Sequence, residues 1–227
     1  MNSEAGSPKS EACLTLVCFA LKEEAAAFKK AVASGALTSI LLTGIGRKNA
    51  EAAVRNYVQH HSAQRVFTCG FAGGLDPELE TGDVVFSTTD ASLARSLSAA
   101  GATPARFHCA ARVATTAAEK TQLRRATGAD AVEMESEAIQ VICRERGIPC
   151  ATVRVISDPA WEDLPLDFNA LAKSDSSIHY GKLTLAIARS PGKISALLRL
   201  QKHTRLAAEE LARVLGRVIE QKALPVK

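Results

Sequence analysis

The chain has 227 residues, 47% of them apolar, and a net charge of +4. This length and composition fit one large domain with a sizeable core. No segment has the roughly 18 consecutive apolar residues that a membrane span needs. The basic residues of the C-terminal third alternate with apolar ones, as on solvated helix faces, which argues against a nucleic-acid partner.

The cysteines and the N-terminus indicate where the protein works. Six cysteines lie mostly inside apolar segments and none forms a CxxC pair, so we expect small core residues in a reducing compartment instead of disulfides or a zinc site. The first twelve residues, MNSEAGSPKSEA, are polar and lack an apolar signal core. We therefore predict a disordered leader over residues 1–11, a single domain over residues 12–227, and a cytoplasmic protein.

A first strand over Leu14–Ala20 leads directly into a helix with the sequence LKEEAAAFKKAV. Glu23 and Glu24 thus open this helix. Favourable charge at a helix N-terminus explains them as well as a functional site does.

A second strand, Leu37–Thr43, runs into Gly44-Ile45-Gly46 and a helix with Ala50 and Val54 on its apolar face. Such a turn can hold an anion or a sugar hydroxyl. The pattern is not GxGxxG and no acidic residue closes the next strand, so a dinucleotide site is disfavoured.

The third strand, Arg65–Cys69, enters a segment of small residues, Gly70-Phe71-Ala72-Gly73-Gly74. Small residues let the backbone approach a ligand closely, although a bare turn also uses glycines. A fourth strand, DVVFS, follows. We predict a loop with one helical turn over Thr88–Thr103 and a strand over Ala105–Ala114, in which His108 is a half-buried histidine with satisfied hydrogen bonds.

The segment from Val132 to Trp161 carries the strongest signal for a site. It predicts a helix from Glu135, ended by the turn around Gly147, and then a buried strand, CATVRVI, that contains Arg154 and ends at Ser157-Asp158-Pro159. A carboxylate at the carboxyl end of a central strand lies where α/β folds bind ligands. Glu133, Met134 and Glu135 lie near the same edge if helix and strand pack side by side.

The rest of the chain completes an α/β pattern. An acidic loop, Trp161–Asp167, could fold over a pocket, and Ile194–Glu220 predicts a long amphipathic helix. Alternating strands and helices predict a three-layer α/β/α fold with a central mixed, largely parallel, twisted β-sheet flanked by helices.

Three separated pieces, LKEEAAAF, GFAGGLDPELETGDVV, and VEMES followed by RVISDPA, resemble the purine nucleoside phosphorylase and nucleosidase superfamily. Within it, the chain resembles the methylthioadenosine/S-adenosylhomocysteine nucleosidase branch and, most closely, the bacterial hopanoid-associated phosphorylases, to which the C-terminal part is especially similar. The similarity covers nearly the whole chain after Ala12. It implies a nucleoside phosphorylase-like fold, a small-molecule nucleoside as partner, no metal or organic cofactor, and a homo-oligomer of two or more chains.

The resemblance also implies roles for single residues. Asp158 matches the aspartate that donates a proton to purine N7, and Glu135 matches the glutamate that binds the ribose hydroxyls. Met134 matches the residue lying against the sugar. Val132 and Glu133 would line the site next to the base, mainly through their backbone.

The attacking group distinguishes hydrolysis from phosphorolysis. Glu24 aligns with the glutamate that positions water in the nucleosidases, and Arg154 with the arginine that helps hold it. Phosphorylases of the superfamily bind phosphate with an arginine and a serine, whose places are taken here by Thr68 and Phe71. This difference favours water. Relatives with an apolar residue at position 71 carry the phosphorylase name, so phosphate as co-substrate stays open.

We therefore expect cleavage of the N-ribosidic bond of a purine nucleoside or 5′-modified adenosine, with Phe71, Ala72 and Gly73 beside the substrate. The shortened segment between Thr88 and Ala114 would leave space for a large apolar 5′ group, as in adenosylhopane. Phe107 and Phe168 are candidate pocket walls. The alternatives are a phosphate-dependent phosphorylase and a non-catalytic nucleoside-binding protein.

Overall fold

A computed structural model describes residues 14–32, 37–167, 169 and 194–220. The expected leader over residues 1–11 and the candidate wall Phe168 lie outside these residues. The strands in the described part are β1 (Thr15–Phe19), β2 (Thr38–Leu42), β3 (Arg65–Gly74), β4 (Val84–Thr88), β5 (Thr103–Pro104), β6 (Phe107–Cys109), β7 (Ala131–Glu133) and β8 (Cys150–Asp158). The helices there are α1 (Lys22–Ala31), α2 (Arg47–His60), α3 (Ala91–Ala100), α4 (Ala117–Thr127), α5 (Ser136–Glu145) and α6 (Ile194–Glu220).

The strands form one mixed sheet in the order β2-β1-β3-β8-β4-β5. β2, β1, β3 and β8 are parallel, whereas β4 runs antiparallel to β8. β7 pairs with the end of β3, and β6 pairs with β7. β1 is buried along its whole length and β8 along nearly all of it, as expected for central strands covered on both faces.

Helices cover both faces of the sheet. α1, α3 and α6 pack on one face through residues such as Phe28, Leu93 and Leu211. α2 and α5 pack on the other through residues such as Val54 and Ile139. The predicted three-layer α/β/α fold with a central mixed sheet is confirmed. None of the helices in the described residues is both long enough and apolar enough to cross a membrane.

The segment between Thr88 and Thr103 differs from the prediction, because it contains the ten-residue helix α3 instead of a loop with one turn. The Asp90 side chain caps this helix by accepting a hydrogen bond from the Leu93 amide at 2.8 Å. Leu93 and Leu97 are buried in the core with α6. The predicted strand over Ala105–Ala114 is reduced to β6, in which His108 is half-buried.

Helix α4 was not foreseen from the sequence. The Thr116 side chain caps its start and Gly128, in the left-handed conformation, follows its end. Lys120 is its buried residue. An N-capping threonine and a glycine after the last turn are ordinary helix boundaries, so the helix is locally encoded at its ends.

The glycine-rich segment after Cys69 is not a turn but the continuation of β3 through Gly74. It stays paired with β8, and the register shifts between Ala72 and Gly73, which brings Gly73 opposite Asp158. The small residues thus let two strands, and β7 beyond them, meet closely at the carboxyl edge of the sheet.

Candidate active site

The candidate site lies at the carboxyl edge of β1, β3 and β8, where α1 begins after β1 and α5 begins after β7. Buried charged side chains gather there: Glu24, Lys120, Glu133, Glu135, Arg154 and Asp158. Buried charges are stable only when they are paired and hydrogen-bonded, so their arrangement identifies what the site is built to hold.

Arg154, on β8, is the centre of the first group. Its Nη2 atom lies 2.6 Å from Glu133 Oε2 and 3.4 Å from Glu135 Oε2. It also donates to Thr68 Oγ1 at 3.3 Å. Burial opposes the charge of Arg154, but the carboxylates of Glu133, Glu135 and Glu24 outweigh it and raise the pKa of the guanidinium. Arg154 therefore stays cationic at any physiological pH.

Glu133 has a larger role than its expected backbone contacts. Its Oε2 atom accepts hydrogen bonds from the amides of Glu135 (2.9 Å) and Ser136 (2.8 Å), and its Oε1 atom accepts one from the Ser136 hydroxyl at 2.7 Å. Burial raises the pKa of Glu133, but Arg154 and these donors reverse the effect and hold the pKa below its usual value. Glu133 is thus the ionised anchor that fixes Arg154 and the start of α5.

Glu135 connects the start of α5 with the glycine turn after β2. Its Oε1 atom accepts a hydrogen bond from the Gly46 amide at 2.8 Å, and its Oε2 atom faces Arg154. Burial raises the pKa of Glu135 to about 7 against the opposing effect of Arg154, and Glu133 raises it further. The Gly44-Ile45-Gly46 turn, which the sequence suggested as a ligand contact, is thus held beside Glu135, the residue predicted to bind the ribose hydroxyls.

Glu24 approaches the same place from the first turn of α1. Its Oε2 atom accepts from the Leu21 amide and its Oε1 atom accepts from the Phe71 amide, both at 3.0 Å. Burial raises the pKa of Glu24, partly offset by the Phe71 amide and by Arg154. The expected proximity of Glu24 and Arg154 is present, although the ion-pair partners of Arg154 are Glu133 and Glu135.

Gly70 is what allows Glu24 and Arg154 to lie so close to β3. It has φ of +150°, and a Cβ atom built on it would be 2.7 Å from Glu24 Oε1 and 3.1 Å from Arg154 Nη1. Only a residue without a side chain fits between the two groups. This is the structural requirement behind the first glycine of the segment.

Asp158 forms a second group, at the end of β8. Its Oδ2 atom lies 2.6 Å from the ammonium of Lys120, and its Oδ1 atom accepts from the Ser157 hydroxyl at 2.6 Å. Burial raises the pKa of Asp158, while Lys120 and Ser157 oppose the rise. Sequence reasoning missed Lys120. The flanking cap residues could have located its helix but not its burial.

The remaining predicted residues lie around these two groups. Val132 is buried and pairs with Gly73, whose added Cβ atom would be 3.2 Å from Asp158 Oδ2. Met134 is half-buried between Glu133 and Glu135, and Ala72 is buried in β3. The Phe71 side chain packs towards α1 and α6. Phe107 is half-buried and packs against Ala72 and its neighbours.

The described residues contain no group of three or more His, Cys, Asp or Glu side chains that could hold a metal ion. The carboxylates of the site are engaged with Arg154, Lys120 and backbone amides instead. Hence the chemistry that these residues can supply themselves is proton transfer and stabilisation of a cation.

Two cavities open on the described surface. One, of about 890 Å³, lies between α1 and α6 and reaches Phe71. The other, of about 740 Å³, lies against α4 and Trp161, and the site carboxylates line neither cavity. We relate the first to the site because the Phe71 amide binds Glu24.

Comparison with known proteins identifies the family and the fold. The sequence model of the Phosphorylase superfamily matches residues 26–108 and 106–179. The chain is 25% identical over 167 residues to an aminodeoxyfutalosine nucleosidase of Campylobacter jejuni, covering 59% of this chain and 73% of the relative. It is 27% identical over 171 residues to a 5′-methylthioadenosine/S-adenosylhomocysteine nucleosidase of Marinomonas sp., covering 59% and 73%.

The fold is similar to that of the futalosine hydrolase of Helicobacter pylori, with a TM-score of 0.70, 15% identity, and coverage of 92% of this chain and 98% of the other. The resemblance carried by LKEEAAAF, GFAGG and VEMES is confirmed at the level of the family. With a family model that spans most of the chain and a matching fold, the protein belongs to the phosphorylase superfamily.

Proposed function

We propose that this enzyme releases a purine base by cleaving the N-ribosidic bond of a nucleoside, with water as the attacking group. The observation that carries the proposal is the division of the acids along one sheet edge. Glu24 and Glu135 surround Arg154 near Gly70, whereas Asp158 lies beside Gly73, three residues farther along β3. The matched relatives are named as nucleosidases.

The division fits the two charges that form when this bond breaks. The sugar becomes cation-like and the base becomes anionic, so carboxylates are needed near the sugar and an acid near the base. We assign Glu135 to the ribose hydroxyls and the developing cation, and Asp158 to protonation of the base. Met134, Val132 and the backbone of Ala72 and Gly73 would line the substrate between them.

The charge balance around Arg154 supports water instead of phosphate. Three carboxylates face one guanidinium there, and the Nη2 atom of Arg154 is already taken by Glu133 and Glu135. A phosphate dianion would lie beside these carboxyl groups in a buried place where the charge of Arg154 is already balanced by Glu133, which is unfavourable. Burial raises the pKa of Glu24, which makes its carboxylate a stronger base for a proton from water.

One observation favours phosphorolysis as the second candidate. Arg154 Nε is buried and has no hydrogen-bond partner among the described residues, so it is a donor available to an oxyanion or a water molecule.

Product analysis separates the two reactions. We expect base release from adenosine or a 5′-modified adenosine at the same rate in phosphate-free buffer and in phosphate, with free sugar as the product. A rate that depends on phosphate and yields ribose 1-phosphate would overturn hydrolysis.

The Asp158→Asn variant tests the acid. We expect kcat/KM to fall by about 10² to 10⁴-fold, the usual contribution of a positioned general acid, with the fold retained. Asp83→Asn, an exposed turn residue, is the matched control and should keep full activity. Tight adenosine binding without turnover, unchanged by Asp158→Asn, would support a nucleoside-binding protein instead.

We extend the proposal to substrates with a bulky apolar 5′ group, adenosylhopane among them. Two observations support it: the cavity between α1 and α6 reaches Phe71, and the segment after Thr88 is packed into the core with α6 as helix α3. The proposal predicts that kcat/KM increases with the length of a 5′-alkyl chain on adenosine. Action on plain nucleosides together with no release of adenine from any 5′-alkyl adenosine would eliminate it.

The homo-oligomeric state, the cytoplasmic location and the single domain over residues 12–227 stay predictions. Measurement of the molecular mass in solution tests the homo-oligomeric state, and limited proteolysis tests the single domain.

A further inference from the structure

Lys120 is fully buried, which is rare for a lysine. Its Nζ atom has three acceptors: Asp158 Oδ2 at 2.6 Å, the Pro159 carbonyl at 2.8 Å and the Glu162 carbonyl at 2.9 Å. An ammonium has three N–H donors, so all of them are used. This environment is complete only for the charged form of Lys120.

Asp158 is correspondingly placed among groups that favour its anion. Ser157 donates to Oδ1 and Lys120 donates to Oδ2. The neighbours from β3 and β7, Gly73 and Val132, carry no charge, and Glu162 in the segment after β8 is the nearby group of like sign. The charge of Lys120 is thus the main counterweight to the burial of Asp158.

We infer that Lys120 is a positioning residue that sets how readily Asp158 releases a proton to the departing base. This inference rests on the proposed function. A carboxyl buried without a cation can have a pKa of about 8 to 9, and such a weak acid donates a proton slowly at neutral pH. An acid works best when its pKa lies near the working pH, and a fixed ammonium moves a buried carboxyl in that direction.

A purely structural role for Lys120 is the competing explanation. Its bonds to the Pro159 and Glu162 carbonyls tie the segment after β8 to α4, as do the bonds from Ala117 N to Asp163 and from Leu164 N to Thr115. Loss of that tie would lower stability and activity at every pH alike. Only a change in the acidity of Asp158 moves the pH profile.

The decisive variant is therefore Lys120→Met, which keeps the length of the side chain and removes its charge. We expect the alkaline limb of the kcat/KM profile for base release to move up by about one pH unit or more, with the plateau lowered roughly tenfold. Lys29→Met, the same change at an exposed position of α1, should leave the profile unchanged. An alkaline limb that stays at the same pH, or moves to lower pH, overturns the inference.

A readout without turnover separates this inference from the proposed function. The carboxyl carbon of Asp158, assigned in ¹³C-aspartate spectra by its loss in Asp158→Asn, should titrate at higher pH in Lys120→Met than in the wild type. If no nucleoside is cleaved, the proposed function fails, and the titration still decides whether Lys120 controls Asp158. Equal midpoints in the two proteins would contradict control by Lys120.

If Lys120→Met does not fold at neutral pH, the double variant Lys120→Met/Asp158→Asn decides the question. Removing both charges should recover most of the lost thermal stability, because the unpaired buried carboxylate is then absent. A double variant as unstable as Lys120→Met would mean that the lysine acts only through the two carbonyls.

Discussion

Glu133 and Glu135 show how one guanidinium produces two different carboxyl groups. Both face Arg154, yet the pKa of Glu133 is lowered and that of Glu135 is raised to about 7. Glu133 accepts four hydrogen bonds, one from Arg154 and three from Glu135 and Ser136 at the start of α5. Glu135 accepts one hydrogen bond from the Gly46 amide and a longer one from Arg154. Hydrogen-bond donors therefore decide which acid stays ionised. Pairs of acids whose pKa values differ in this way are typical of acid–base sites.

The Gly70→Ala variant tests whether the site requires the close approach of Glu24 and Arg154 to β3. A methyl group there would lie 2.7 Å from Glu24 Oε1, so we expect Glu24 to be displaced and activity to fall at least tenfold. The unfolding free energy should also fall by more than the roughly 1 to 2 kcal/mol of a positive-φ alanine.

Gly82→Ala provides the matched control, because Gly82 has φ of +100° but no atom within 4 Å of the added Cβ. It should lose stability through backbone strain alone and keep its activity. Equal activity in the two alanine variants would contradict the role of Gly70.

Site residues were predictable where a charged residue lies within an apolar strand or at its end. Asp158 follows an apolar strand, and Arg154 interrupts that strand, so both stand out in the sequence. Lys120 does not, because a lysine among Glu119, Thr121 and Gln122 looks like any solvated helix position. Its burial results from the contact of α4 with the segment after β8, which no local pattern encodes.

Among the elements, the long apolar strands and the amphipathic helices were predictable, whereas α3 and α4 were not. The apolar period of α3 rests on only two large residues, Leu93 and Leu97, among serines and alanines, and α4 buries little besides Lys120. Alanine nevertheless favours helix, and both segments are capped by side chains at their first turn. The capping residues at the helix ends therefore predict α3 and α4 better than apolar periodicity does.

Asp90→Ala tests whether α3 is structural only. Loss of the cap to the Leu93 amide should lower the unfolding free energy by about 0.5 to 2 kcal/mol. The kcat/KM should stay within twofold of the wild type, because α3 starts beside Cys150, at the opposite end of β8 from Asp158. A large loss of activity at full stability would mean that α3 takes part in the site.

For the whole molecule, the parallel order β2-β1-β3-β8 explains why residues far apart in sequence meet. Glu24 follows β1, Gly46 follows β2, and Asp158 ends β8, so all three reach the same carboxyl edge. The alternation of strands and helices predicts such an edge. It does not predict the register shift between Ala72 and Gly73 that sets Gly73 opposite Asp158, because that shift depends on pairing between β3 and β8.

The collected acids also make stability depend on pH in a defined direction. Glu24, Glu135 and Asp158 have raised pKa values in the folded protein. They bind protons more tightly when folded, so their stabilisation is complete below their unfolded pKa values of about 4 to 4.5 and is lost as the pH rises through the folded values. Glu133, with a lowered pKa, contributes in the opposite sense, and its stabilisation is lost as the pH falls below about 4.5.

Denaturant unfolding of the wild type should therefore show greater stability near pH 5.5 than near pH 8. Glu135, with its pKa raised to about 7, accounts for a change of about 2 kcal/mol across this range. Glu135→Gln removes this titration, so the difference between the two pH values should shrink, while Glu78→Gln, at an exposed loop position, should leave it unchanged. A pH dependence that is the same in both variants would mean that Glu135 titrates as an ordinary glutamate, and the buried cluster around Arg154 would then be more open to water than its packing indicates.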